Sequence, residues 1–366
     1  MVRSGPPKQL LLQWHITDRC NLRCRHCYQN DYRGPGPDFR HLLGILDQYE
    51  MLLGALGGNG KRIPGQINIT GGEPFVRKDF LELLKEIRRR GIPFAILSNG
   101  SLLDQATARF LETLAPRFVQ LSLEGGEAMH NAIRGKGDYA RVVGSLRLLK
   151  KAGIRTLVSF TAHRENFRDF PAVADQCRRI GVDRLWSDRL IPEPAGNGSG
   201  PETLSPDETK ELFSVMATES TRRGILRRRS PIAMHRALQF LVTGERPYRC
   251  NAGFGLITVM PDGTVLPCRR LPISAGNLFQ TSLTKIYVES TLLRRLRDPS
   301  LIGKCCESCV HAAGCRGGLR CLAYALSGDP FRADPGCWLI PTAATATATS
   351  ASTSAAATTA TAIRTP

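Results

Sequence analysis

The chain reads as an α/β protein, and three observations predict it. Apolar runs of strand length alternate with amphipathic helical stretches over the first half. Polar and glycine-rich motifs follow the strands, and the cysteines fall into two groups with Cys177 standing alone between them. Alternation of this kind implies parallel β-α-β units, hence a doubly wound sheet or a partial barrel.

The strands are expected at "LLLQWHIT" (10–17), "GQINIT" (65–70), "PFAILSNG" (93–100), "FVQLSLEG" (118–125), "IRTLVSFTAH" (154–163) and "VDRLWSDRLI" (182–191). Between them, "FRHLLGILDQYEMLLGAL", "DFLELLKEIRRRG", "DQATARFLETLA", "DYARVVGSLRLLKKAG" and "NFRDFPAVADQCRRIG" carry apolar residues at helical spacing. In such folds ligands bind at the C-terminal ends of the strands. There stand "TDRC", "TGGEP", "SNG" and "SLEGG", expected to converge on one site. Further on, "PEPAGNGSGPETLSP" (192–206) reads as a linker or a loop over that site. Two helices follow, and then "FGLITVMPDGTVLPC" is expected to form a hairpin turning at Pro261, Asp262 and Gly263. From Pro341 the chain is Ala/Thr/Ser low complexity and is expected to be disordered.

Length and composition suit a globular protein of two domains with a tail. No apolar run is long enough for a membrane span or a signal peptide, which places the chain in the cytoplasm. The formal net charge is +18, spread over segments such as "TRRGILRRRS" and "LLRRLR" that read as solvated helix faces. An acidic peptide or a nucleic acid is the alternative reading of that charge. No aromatic-rich reading surface accompanies it, so a nucleic-acid partner is not expected. Twelve cysteines in a reducing compartment point to metal or catalytic chemistry rather than disulfides.

Cys20, Cys24 and Cys27 stand in "TDRCNLRCRHCYQN". Structural zinc takes four closed ligands, so a triplet leaves it one short unless His15 or His26 completes the set. A 4Fe-4S cluster held by three thiolates keeps one iron open to a small molecule.

C-x3-C-x2-C after the first strand of a six-strand α/β fold resembles the signature of radical S-adenosylmethionine enzymes, with His26 where that family prefers an aromatic ring. The resemblance implies a six-strand (β/α)6 partial TIM barrel whose open iron chelates S-adenosylmethionine. Its reductive cleavage yields a 5′-deoxyadenosyl radical that abstracts hydrogen from substrate. "GGEP" matches the family's element for the methionine amino group, so the cofactor contacts are expected at Gly71, Gly72 and Glu73. Ser98 and Asn99 after strand three, and Ser122 and Glu124 after strand four, are candidates for the ribose or carboxylate, with turn or capping roles as the alternative. Arg134 in "HNAIRGKG" matches a recurrent family stretch, read as structural or carboxylate-pairing. His163 and Asn166 lie where adenine contacts are expected.

Cys250, Gly263, Cys268, "CCESCVHAAGCRGGLRC" and Cys337 resemble the SPASM extension of that family, which holds two auxiliary 4Fe-4S clusters. The resemblance assigns Cys306, Cys309, Cys315 and Cys337 to an outer cluster, and Cys250 and Cys268 to an inner one. The family spacing puts the remaining inner ligand at 319, which is Leu319, so Cys321 is the expected substitute and an iron there stands open for substrate. Cys305 is either a spare ligand or a free thiol, and Cys177 a buried apolar residue. Structural zinc is the alternative for the whole segment.

The implied boundaries are an N-terminal extension (1–9), the radical barrel (10–192), a linker with helices (193–249), a small cysteine-rich α+β domain (250–340) and the tail (341–366). The implied function is modification of a ribosomally made precursor peptide by crosslink or thioether formation. A sulfatase-type maturase, or an enzyme acting on a tetrapyrrole or quinone precursor, is the alternative. An electron donor of flavodoxin or ferredoxin type is implied. The segment before Cys20 is too short for a leader-binding module, so a separate leader-binding protein or the basic surface is expected to do that work.

Overall fold

The computed structural model describes residues 5–29, 31–58, 60–192, 202–222 and 231–340. Most of the expected linker and all of the expected disordered tail lie outside the described residues.

Six strands and their helices alternate as the periodicity requires. The order is β1 (Leu10–His15), α1 (Phe39–Gly57), β2 (Gly65–Thr70), α2 (Phe80–Arg89), β3 (Phe94–Ser98), α3 (Gln105–Leu114) and β4 (Val119–Ser122). Then follow α4 (Glu127–Arg134), α5 (Asp138–Lys151), β5 (Thr156–Ala162), α6 (Phe170–Ile180), β6 (Arg184–Arg189), α7 (Pro206–Thr221), β7 (Ile232–Ala233) and α8 (Phe240–Thr243). The last portion contains β8 (Leu256–Val259), β9 (Thr264–Leu266), β10 (Gly276–Asn277), α9 (Leu283–Glu289), α10 (Thr291–Arg297), α11 (Ala312–Cys315) and α12 (Arg320–Ser327).

The strands form one sheet in the order β10-β9-β8-β1-β2-β3-β4-β5-β6-β7. Strands β1 to β6 pair in parallel with their sequence neighbours. The short β7 extends them in parallel beyond β6. The expected hairpin is present as β8 and β9, but it does not stand apart as a separate unit, because β8 pairs in parallel with β1 from Leu11–Leu256 to Trp14–Val259. The sheet therefore runs from the barrel into the cysteine-rich segment without a break.

Helix α1 shows why the layers hold. Asp38 caps its N-terminus by accepting from the His41 N–H. Leu42, Ile45, Leu46, Tyr49, Leu52 and Leu53 recur at helical spacing and bury one face. The Tyr49 hydroxyl donates to the Leu10 carbonyl at 2.7 Å and accepts from the Gln66 N–H at 3.0 Å, pinning the helix across β1 and β2. Leu10, Leu12 and Trp14 of β1 are fully buried, each worth about 1.5–3 kcal/mol relative to exposure. Among the described residues no helix is long and apolar enough to cross a membrane.

Candidate radical and auxiliary-cluster sites

Beyond β1 the chain turns through Thr17–Arg19 into the three-thiol loop, and the next strands' ends hold that loop in place. The Gly72 N–H donates to the Thr17 carbonyl at 2.7 Å, and the Glu73 N–H to the Arg19 carbonyl at 2.9 Å. Only glycine permits this approach: a Cβ on Gly71 would stand 2.7 Å from the Thr17 oxygen, and one on Gly72 2.4 Å from the Arg19 oxygen. The two glycines thus seat the cluster loop itself, a role the motif alone did not reveal.

Asn99, after β3, donates to Asn21 Oδ1 at 2.9 Å and lies 3.8 Å from the Cys20 sulfur. Asn21 donates in turn to the Ser101 hydroxyl at 2.7 Å. On the other flank the Arg25 N–H donates to the Ile133 carbonyl of α4, and the Arg25 guanidinium pairs with Glu165 at 3.0 Å.

The two candidate glutamates are fully buried behind the cavity wall. Glu73 accepts from the Asn99 N–H at 2.7 Å, the Ser98 hydroxyl at 2.9 Å and the Phe75 N–H at 3.2 Å. Burial outweighs these donors and pushes its carboxyl up to about 7. Glu124 lies 3.4 Å from His26, accepts from Arg134 at 3.0 Å, and accepts from the Thr161 N–H at 2.8 Å. Burial would raise its pKa, but His26 and Arg134, together with the Thr161 donor, bring it down to about 2. Arg134 is therefore paired to a carboxylate. Asn166 is also engaged with protein groups, donating to the Glu124 and Thr161 carbonyls. His163 packs 6.2 Å from the His26 ring with neither ring nitrogen hydrogen-bonded.

In front of this network lies a cavity of about 510 Å³. Cys20, Cys24 and Cys27 line one wall, followed by Gly71, Gly72, Ser98, Asn99 and Ser122. The lining continues through Trp186 of β6, Arg269, Arg270 and Pro272 past β9, and Ala325 of α12. Thiols from the barrel and side chains from the cysteine-rich segment thus face one space.

The C-terminal thiols gather in two places. Cys306, Cys309, Cys315 and Cys337 line a second cavity of about 50 Å³, together with Cys305. Cys321, buried at the start of α12, lies within electrostatic reach of Cys268 and Cys250, and of Arg270 and Asp188. Leu319 is buried in the apolar core, its N–H donating to Asp334 at 2.9 Å. All twelve cysteines are free. Burial pushes Cys24 and Cys315 up to about 11, so ligating iron must displace protons. Among the described residues no three His, Cys, Asp or Glu side chains are drawn together around a single point. Soft thiols set around a cavity suit a cluster whose irons each take one thiolate.

The cysteine-rich segment is fastened to the barrel by a buried ion pair. Arg189 at the end of β6 donates through both Nη atoms to Asp334 at 2.7 and 2.6 Å, both side chains shut from solvent. Asp334 also accepts from the Leu319 and Gly336 N–H groups. Nearby, Arg270 pairs with Asp188 of the same strand.

A family model for the Radical SAM superfamily matches residues 14–177, and one for the SPASM iron-sulfur cluster-binding domain matches residues 250–310. The chain is a radical SAM enzyme with a SPASM domain. Its radical SAM domain binds a 4Fe-4S cluster and S-adenosylmethionine, and its SPASM domain binds auxiliary iron-sulfur clusters. Relatives of similar length include the PqqA peptide cyclase of Gluconobacter oxydans (29% identical over 93% of each chain). The AdoMet-dependent heme synthase of Nitratidesulfovibrio vulgaris is 26% identical over 94% of this chain and 96% of its own. The fold is that of Streptococcus suis SuiB, solved bound to precursor peptide SuiA (TM-score 0.71, 18% identity, 91% of this chain and 76% of that one). It is also that of anSMEcpe with bound AdoMet (TM-score 0.71, 19% identity, 90% and 94%).

Proposed function

We propose that this radical SAM/SPASM enzyme modifies a ribosomally made peptide by hydrogen abstraction. The observation that carries the reading is the cavity that joins the three-thiol loop to the SPASM wall at Arg270 and Pro272. It is supported by full-length similarity to PqqA peptide cyclase. When bound, the cluster and S-adenosylmethionine supply one-electron reductive cleavage and a 5′-deoxyadenosyl radical.

In this reading Cys20, Cys24 and Cys27 hold the first cluster, and Gly71, Gly72, Ser98, Asn99 and Ser122 face S-adenosylmethionine. Glu73 and Glu124 act one layer back, fixing Asn99 and His26 through the bonds above. Cys306, Cys309, Cys315 and Cys337 would hold an outer auxiliary cluster, and Cys250, Cys268 and Cys321 would supply three thiolates to an inner one. Free thiols throughout suit the reducing cytoplasm. A flavodoxin or ferredoxin delivers the electron, and an acidic leader meets the basic surface or a separate leader-binding protein.

A second reading, action on a tetrapyrrole, is favoured by the heme synthase relative, which is also matched along its full length. Anaerobically reconstituted protein, given reductant and S-adenosylmethionine, is incubated either with peptides encoded by short reading frames beside its gene or with tetrapyrroles of the kind that precede heme. The peptide reading expects 5′-deoxyadenosine together with loss of a hydrogen pair from a peptide. Turnover of the tetrapyrrole alone would overturn it.

A further inference from the structure

Four arginines face the large cavity, and three of them are paired. Arg134 donates to Glu124, Arg189 to Asp334 and Arg270 to Asp188. Arg269 differs: among the described residues no carboxylate lies within ion-pair distance of it. Its guanidinium lies 4.2 Å from the Tyr28 ring centroid, and its Nη2 donates to the Tyr28 carbonyl at 3.2 Å. Its Nε is closed off from solvent without a partner, as are those of Arg134 and Arg189, so the missing carboxylate is what sets Arg269 apart. Asp18 and His15 lie within electrostatic reach, yet neither accepts from it, and the burial of His15, reinforced by Arg269, keeps that ring neutral.

The position is as telling as the vacancy. Tyr28 directly follows Cys27 and Arg269 directly follows Cys268, so their contact joins the radical loop to the inner auxiliary thiols. A guanidinium that lines a cavity and has no carboxylate partner is a natural counter-charge for an anion that enters it. A carboxylate suits it best, because a planar guanidinium offers paired Nη donors that match two oxygens.

We propose that Arg269 anchors a carboxylate of the substrate, in a peptide an aspartate or glutamate side chain, between the radical loop and the inner auxiliary thiols. The peptide half of this statement rests on the function proposed above; the anchor itself does not.

The test uses the full chain, reconstituted anaerobically and saturated with S-adenosylmethionine. It is titrated by calorimetry with glutarate and with its neutral counterpart glutaramide. Glutarate is expected to bind at least about tenfold tighter. Arg269→Gln should abolish that preference while iron content and S-adenosylmethionine affinity stay unchanged. Equal affinity for the two probes, or a preference that survives Arg269→Gln, overturns the anchor. So does weakened S-adenosylmethionine binding, which would assign Arg269 to the cofactor. Should Arg269→Gln fail to take up iron, Arg269→Lys decides, since it keeps the charge without the fork: a reduced preference supports the anchor and an undiminished one overturns it. The tripeptides N-acetyl-Gly-Glu-Gly amide and N-acetyl-Gly-Gln-Gly amide separate the two claims. Discrimination between the small acids with no binding of either tripeptide would leave the anchor standing and sink the peptide reading.

Discussion

The three-thiol loop and the C-terminal cysteine segment carry similar ligands on unlike supports. The loop is bonded to the ends of β2 and β3 and to α4 by backbone and side-chain contacts at Thr17, Arg19, Asn21 and Arg25. The outer C-terminal thiols sit on short helical turns, with Cys305 and Cys306 in a single turn and Cys315 ending the four-residue α11. What fastens that segment is the Arg189–Asp334 pair, the contact of α12 with the core and the strand pairing of β8. The contrast teaches that the three-thiol loop is shaped by the fold itself, whereas the C-terminal thiols would gain more of their order from a bound cluster.

The sharpest way to break the comparison is at the ligands. Cys24→Ala is expected to reduce 5′-deoxyadenosine formation to the protein-free background without changing the circular dichroism of the barrel. Cys321→Ala should cost one cluster only, lowering iron from about twelve to about eight per chain, read by iron analysis of the reconstituted protein. Loss of all auxiliary iron would mean that the C-terminal sites form as one unit.

The supports come next. Arg189→Met leaves Asp334 buried and unpaired, so it should destabilise by about 3–5 kcal/mol in denaturant unfolding and release auxiliary iron before the radical-site iron. Gly72→Ala places a Cβ 2.4 Å from the Arg19 oxygen and should cost about 1–3 kcal/mol. Its distinguishing sign is poor loading of the first cluster with the auxiliary clusters intact.

A pH dependence probes the network behind the cavity. Burial raises the Glu73 carboxyl from 4.5 to about 7, so the folded chain binds this proton more tightly than the unfolded one. Its contribution to stability is present below about pH 4.5 and is lost as pH rises through about 7. Unfolding of the metal-free protein from pH 4.5 to 7.5 should show this falling component, and Glu73→Gln should remove it.

The sequence determined the α/β alternation, because buried parallel strands and amphipathic helices impose periods that survive without tertiary context. It also located the hairpin at Asp262–Gly263, where Gly263 adopts φ +81° and Asp262 accepts from the Thr264 N–H. The thiol groups were legible from spacing alone. Other features were not local in sequence, and only the tertiary structure decided them. Nothing near "GGEP" says that its glycines seat the loop at Thr17–Arg19, or that Glu73 would spend its oxygens on Ser98 and Asn99. Nor does spacing place Cys321 beside Cys250 and Cys268, or leave Arg269 unpaired against Tyr28. Helical and strand periods are set by neighbours along the chain, whereas which carboxylate meets which arginine is set by residues up to 145 positions apart.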